Sequence, residues 1–351
     1  MKPPIRNRDD PPARRRRLIR RVLQVTIALA GVLLAWRMVE ALSWEELTRR
    51  IREAQGVLLA AATVLLILRW YFWQARWGSS LVRCGHATTL LRRGTALMAS
   101  VFVNHVAVRF FGGVLRGRYL AGGLARDFPR QYGIVLFDQL MHQLATTVFT
   151  WLAVAYVFFQ LGRNTLGVTA LVTLAILAAA VPFVIGREGW VRRLAARIGE
   201  STRRSERLHG LVQQGSEIPR IFSKLLASKP HVGRAAVLTW VYISANVLAQ
   251  WLVFRSIEAD VPLLTVAAVL GIGSVIGTLT GVPGGLGPME AALLGGYDLL
   301  GIDPLEAAAG TLLYRGLHYI LVLGLGLPSL LLVELRLEST RAPQRDSELE
   351  A

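Results

Sequence analysis

Residues 235–254 read AAVLTWVYISANVLAQWLVF, twenty positions without an Asp, Glu, Lys or Arg. At 1.5 Å rise per residue such a run reaches about 30 Å, the thickness of a bilayer's hydrocarbon core. Three further blocks, 139–162, 164–186 and 316–333, are equally free of charge. Hydrocarbon cannot satisfy backbone N–H and C=O groups, so these blocks are expected to be helices. The alternation that marks barrel strands is missing. The expected fold class is therefore all-α, a polytopic membrane helical bundle.

Composition agrees. Of 351 residues 53% are hydrophobic, and mean hydropathy is +0.44. The formal charge of +17 invites a nucleic-acid reading, but the cations fall between the apolar blocks, where membrane topology puts them. The single cysteine, Cys84, allows no internal disulfide and no cysteine-based metal site. The first apolar block lacks a small-residue cleavage site and more spans follow, so a cleaved signal peptide is not expected.

The chain divides into a basic tail at 1–20, a transmembrane domain at 21–335 and a charged tail at 336–351. Full crossings are expected at 22–39, 56–73, 133–159, 165–185, 235–256 and 305–334. Ser43 followed by Glu46 resembles a capping box that opens a short surface helix over 43–55. The stretch RWYFWQARW (69–77) reads as an aromatic and arginine belt at a water interface. Residues 187–234 are polar and Arg-rich, which predicts a cytoplasmic loop with one or two amphipathic helices. Two apolar segments, 94–120 and 262–300, have flanks that keep both their ends on one side. They are expected to be re-entrant helical hairpins entering from opposite faces, the topology of an inverted repeat. Both termini are expected in the cytoplasm, with the chain in the cell membrane.

Charged and flexible residues within the apolar segments are the candidate site. In the first hairpin these are Asn104, Gly112, Gly113 and Arg116. An Arg fork there suits a phosphate, although an ordinary basic flank residue fits the same position. In the second, GVPGGLGPMEAALLGGYDLLG (281–301) breaks a helix at Pro283. Gly284, Gly285 and Gly287 expose backbone, Pro288 suits a first helical turn, and Glu290 sits in that turn near the positive end of the dipole. An ionisable group at such depth is a functional candidate by default, and a helix cap paired with an Arg is the plainer reading. Arg315 needs a partner, which Glu290 or Asp138 can supply, and a structural ion pair is again the plainer reading. His318 and His142 lie in the same charge-poor spans as Arg315 and Asp138. Asn246 and Gln250 fit interhelical hydrogen bonds, and the four-residue recurrence of Gly273, Gly277, Gly281 and Gly285 fits close helix packing.

These residues carry a resemblance. The sequence from about Arg20 to Glu334 resembles the lysylphosphatidylglycerol synthase transmembrane-region family of flippase-like membrane proteins. The family motif PGGLGxxE with a later Arg is matched by Pro283 to Glu290 and Arg315. A second motif, Asn–x–x–x–Pro–x–x–x–Gly–acidic–x–x–Arg, is matched at Asn104, Gly112 and Arg116. Val108 replaces its Pro and Gly113 its acidic residue. A third, acidic–Arg–x–x–Asp, is met only by Asp138, with Gln139 and His142 departing. The resemblance implies translocation of an anionic phospholipid or lipid-linked head group between leaflets. Some relatives fuse this domain to a soluble aminoacyl-transferase, for which too little chain lies outside the spans here.

HExxH, Walker, CxxC and GxSxG patterns are all missing, so no cofactor, no metal and no enzymatic step are expected. Membrane lipids are the expected partners, alongside a homo-oligomer or a separate lipid-synthesising enzyme. Two rival readings remain at this point. One is an intramembrane head-group transferase or hydrolase using Glu290, Asp138 or His318. The other is a non-catalytic membrane partner of a separate enzyme.

Overall fold

The computed structural model describes residues 43–86, 88–106, 111–121, 128–173 and 217–349, with Thr26 and Leu33 as isolated helical positions. Among them there is no strand. The basic tail, the expected span at 22–39 and residues 174–216 lie outside this set, although 164–173 are helical.

Helix α1 (Trp44–Arg52) begins as expected, with the Ser43 hydroxyl accepting the Glu46 N–H at 3.3 Å. Helix α2 (Gly56–Arg83) runs ten residues past the boundary set at Trp73, so the supposed interface belt is helix interior. Helices α3 (Leu90–Val106) and α4 (Phe111–Leu120) form the first hairpin, and α5 (Phe128–Gln160) follows. Helix α6 (Glu217–Leu226) is an amphipathic element of the expected basic loop and packs its Ile218 and Ile221 on Gly133 of α5. Helix α7 (Lys229–Ser256) leads to α8 (Leu263–Leu279), a 3-10 turn at Pro283–Gly285 and α9 (Pro288–Leu299). Helix α10 (Pro304–Leu349) closes the chain. Thr280 caps α8, so the helix ends before Pro283, which instead opens the 3-10 turn.

Among the described residues α2, α5, α7 and α10 are long and apolar enough to cross a membrane. The surface is correspondingly inverted: Val57, Ile320 and Leu335 are more than half exposed, while Arg69, Arg76, Arg116, Asp138 and Arg315 are buried. That distribution suits hydrocarbon outside and polar groups within. Helices α4 and α9, with ten and twelve residues, rise only about 15 and 18 Å. Each is too short to cross a bilayer by itself.

The helix pairs have an exact exchange relation, with no residue-level likeness behind it. Helix α2 lies antiparallel on α7: Gln55 N–H donates to the Ser256 carbonyl at 2.8 Å, and further along Arg76 donates to Thr239 at 2.8 Å. Exchanging α2–α5 for α7–α10 maps the packed pairs onto one another. Pair α3–α4 becomes α8–α9, α4–α5 becomes α9–α10, α3–α10 becomes α8–α5, and α2–α7 returns to itself. An antiparallel central pair makes this an inverted repeat. The hairpins accordingly enter from opposite ends. Arg336 of α10 bonds Tyr119 at the base of the first at 3.1 Å, whereas Arg50 of α1 bonds Glu306, just after the second, at 3.3 Å.

Candidate functional site

The second hairpin turns through Gly281, Gly284, Gly285 and Gly287, all at φ between 62° and 87°. Side chains rarely adopt that backbone, so the glycines are a conformational requirement of this turn. Gly287 caps α9, and its N–H donates to Glu290 Oε2 at 2.7 Å. The other carboxylate oxygen accepts from Arg315 Nε at 2.6 Å. Arg315 also donates to the Gly284 carbonyl at 3.0 Å and to the Tyr319 hydroxyl at 2.5 Å, and its guanidinium lies 4.8 Å from the Tyr319 ring centre. Glu290 is thus both helix cap and ion-pair partner, the plainer of its two sequence readings.

The first hairpin closes tightly. Asn104 Oδ1 accepts the Gly112 N–H at 3.0 Å, and a Cβ on Gly112 would stand 2.2 Å from the Ser100 carbonyl oxygen. The end of α3 then meets the second hairpin: a Cβ on Gly284 would approach His105 Cδ2 at 3.2 Å and the Tyr319 hydroxyl at 3.3 Å. The two tips touch.

Beside the tips lies a second network. Asp138 of α5 accepts from Arg76 Nε at 2.7 Å, Trp73 Nε1 at 2.7 Å and Arg116 at 3.4 Å. The Arg116 guanidinium is flanked by Trp73 and Trp77, with ring centres at 5.3 and 5.0 Å. Asp138 therefore serves Arg76 and Arg116, and among the described residues Glu290 is the carboxylate on Arg315. His142 stacks on Trp73.

A third group surrounds Arg69 of α2, 4% exposed. It bonds Asn246 Oδ1 and His318 Nδ1, and faces the rings of Trp70 and Tyr242 at 5.2 and 5.9 Å. Asn246 also accepts from the Tyr314 hydroxyl at 2.9 Å, which makes it the expected interhelical link. The carboxamide of Gln250, buried one turn on, finds no partner among the described residues.

Sequence reasoning reached Asn104, Gly112, Arg116, Asp138, Pro283, Gly284, Gly285, Gly287, Glu290 and Arg315. The structure brings Pro283, the three glycines, Glu290 and Arg315 together at one tip, with Asn104 and Gly112 shaping the other. Arg116 and Asp138 stand in the neighbouring network. Arg69, Arg76, His105 and Tyr319 were missed. Arg69, Trp73, Arg76 and Ser80 recur at helical spacing, so one face of α2 carried the signal once the helix extended past Trp73.

The interior is electrostatically unbalanced. Among the described residues Arg69, Arg76, Arg116 and Arg315 face only Asp138 and Glu290, and Arg69 has no carboxylate partner. An uncompensated buried cation is costly and suits an incoming anion. An apolar cavity of about 240 Å³ opens among α5, α8 and α9, lined by Val157, Val269, Ile272, Ala292 and Gly296. It can take hydrocarbon and offers nothing to a head group.

The sequence is similar to a UPF0104 membrane protein of Methanothermobacter thermautotrophicus, 21% identical over 321 residues, spanning 87% of this chain and 94% of the relative. A UPF0104 membrane protein of Methanocaldococcus jannaschii is 22% identical over 292 residues, 80% of this chain and 86% of that one. The sequence profile of the lysylphosphatidylglycerol synthase TM region matches residues 21–326. A membrane bundle whose broken-helix motif, arginine and hairpin glycines fall inside that match belongs to the lysylphosphatidylglycerol synthase transmembrane-region family.

Proposed function

We propose that this protein moves an anionic phospholipid or lipid-linked head group between the leaflets of the cell membrane, without a chemical step on the lipid. The observation that supports the reading is the meeting of two short helical hairpins beside buried arginines that, among the described residues, outnumber their carboxylates. A head-group phosphate would exchange into this positive region, where charge-assisted bonds from Arg forks are strong. The apolar cavity beside the second hairpin suits an acyl chain. Both termini would lie in the cytoplasm, because Arg83, Arg92, Arg93, Arg130, Lys224 and Arg234 gather at the end where the first hairpin enters. Glu53, Glu258, Asp260, Asp298, Asp303 and Glu306 gather at the other.

The test is leaflet exchange in reconstituted vesicles carrying fluorescent phosphatidylglycerol, with dithionite bleaching the outer leaflet. Acceleration over protein-free vesicles is expected. Equal rates across anionic and glycosylated lipids with and without protein would refute the reading, and a lipid product of changed mass would favour an intramembrane enzyme.

A further inference from the structure

Donor and acceptor roles at the hairpin tips are fixed by geometry. Arg69 Nη2 lies 2.5 Å from His318 Nδ1. A guanidinium only donates, so Nδ1 accepts and neutral His318 carries its hydrogen on Nε2. That nitrogen is 3.0 Å from His105 Nε2, which must then accept. His105 consequently carries its hydrogen on Nδ1, which donates to the Val101 carbonyl at 2.7 Å. A directed chain runs from α2 through α10 to the tip of the first hairpin, with both imidazoles neutral.

The deep carboxylates are bound otherwise. Asp138 accepts from two arginines and a tryptophan, and Glu290 from Arg315 and a helix N-terminus. Each set of donors is directed at the carboxylate oxygens. The histidine pair instead has every nitrogen committed in its neutral form. A further proton has only two places, His105 Nε2 and His318 Nδ1, and each faces an N–H. A proton on His105 Nε2 therefore breaks the bond to His318 and removes one link between the first hairpin and α10, whereas one on His318 Nδ1 breaks the bond to Arg69. Among the described residues the charged and titratable groups beside the pair are Arg69 from α2 and Arg315 and Tyr319 from α10, with Glu290 of α9 held by Arg315. Two neighbouring cations oppose a third positive charge while the site is empty. An anion arriving between Arg69 and Arg315 reverses that field.

Resting on the translocation reading, we infer that the His105–His318 pair is a proton site that loads together with the anionic head group, so that lipid movement is coupled to protons. The two bindings favour each other by linkage. The proton comes from water on the face where the anion enters, is held as the second N–H of an imidazolium, and leaves with the anion on the other face. The pair thereby lowers the net charge that has to cross hydrocarbon.

Vesicles of phosphatidylcholine and phosphatidylglycerol with fluorescent phosphatidylglycerol provide the test. With one proton per lipid, a gradient of about one pH unit drives a leaflet ratio of the probe toward about tenfold. His105→Gln should return that ratio to unity. Exchange by the wild type that ignores the gradient overturns the inference and leaves translocation standing. A wild type that exchanges nothing removes translocation itself, and a second measurement then decides the proton site. In nitrogen-15 spectra of histidine-labelled protein in detergent, assigned with His105→Gln and His318→Gln, one Nδ1–H and one Nε2–H tautomer are expected. At fixed pH, dihexanoyl phosphatidylglycerol should convert one of them to imidazolium. Tautomers of the opposite sense, or no conversion, overturn the proposal.

Discussion

Arg315 and His318 lie one turn apart on α10 and hold different hairpins. Arg315 grips the Gly284 carbonyl at 3.0 Å, at the tip of the second, and His318 bonds His105 at 3.0 Å, at the tip of the first. With Tyr314 bonded to Asn246 of α7 and His318 also bonded to Arg69 of α2, less than two turns of one helix fasten both hairpins and two further helices. Any motion that separates the tips has to work against this segment.

Arg315→Lys is expected to slow leaflet exchange at least about tenfold, although charge is kept. A lysine ammonium is a point donor and cannot serve Glu290, the Gly284 carbonyl and Tyr319 with a planar fork. Losing one charge-assisted bond costs about 1.5–3 kcal/mol. Exchange rates of purified, monodisperse variants check this, and a lysine variant at wild-type rate would make the pair merely structural.

Asp138→Asn is expected to lower thermal stability sharply. It leaves Arg76 and Arg116 buried and unpaired, a loss of about 3–5 kcal/mol for a broken buried pair. Adding Arg76→Gln should recover part of that loss, because it removes one uncompensated charge. Melting followed by size-exclusion chromatography reads both; a double variant less stable than the single one contradicts the electrostatic account.

The hairpins allow a paired packing test. Gly112→Ala places a methyl 2.2 Å from the Ser100 carbonyl, so α3 and α4 must part, at about 1–3 kcal/mol. Gly295→Ala meets nothing within 4 Å and sits in helix α9, so it should be neutral or stabilising by up to about 1 kcal/mol. Equal melting shifts for the two would mean that the close approach at Gly112 is not a constraint.

Cys84 offers an internal probe of unfolding. It lies just past the end of α2, 2% exposed, and burial pushes its thiol above the ordinary range, so native thiolate is scarce. Maleimide labelling near neutral pH should be slow in folded protein and rise on melting. Fast labelling of folded protein would place Cys84 at an open surface.

How much of this the sequence disclosed depended on which physical signal each part carried. Long uncharged runs gave the membrane-length cores of α5, α7 and α10, because hydrocarbon thickness sets a minimum length, but not the polar turns that begin α5 and α7 or the extension of α10 to Leu349. The second hairpin was legible in its proline and glycines, since only such residues make that turn. Glu290 and Arg315 were visible as isolated charges. The belt around Arg69 and Arg76 misled, because a charge near an aromatic cluster is the usual mark of an interface. Here α2 continues to Arg83 and turns those arginines inward. The meeting of His105 with Gly284 had no sequence signal at all, since it arises from two segments nearly two hundred residues apart entering from opposite ends.

Arg69 separates function from architecture most cleanly. A residue retained for stability should cost stability when removed. Arg69 is buried, carries a full charge, has no carboxylate partner among the described residues, and leaves its Nε without a hydrogen bond. The bonds to Asn246 and His318 offset only part of such a desolvation cost, which runs to several kcal/mol per ion. Arg69→Gln keeps a donor toward Asn246 and removes the charge. The expected outcome is a melting temperature equal to or above that of the wild type, together with leaflet exchange slowed about tenfold or more, the trade-off of a destabilised functional site. Melting and exchange measured on one preparation decide it. A variant that melts lower yet exchanges normally would show that Arg69 holds the helices together and takes no part in drawing an anion inward.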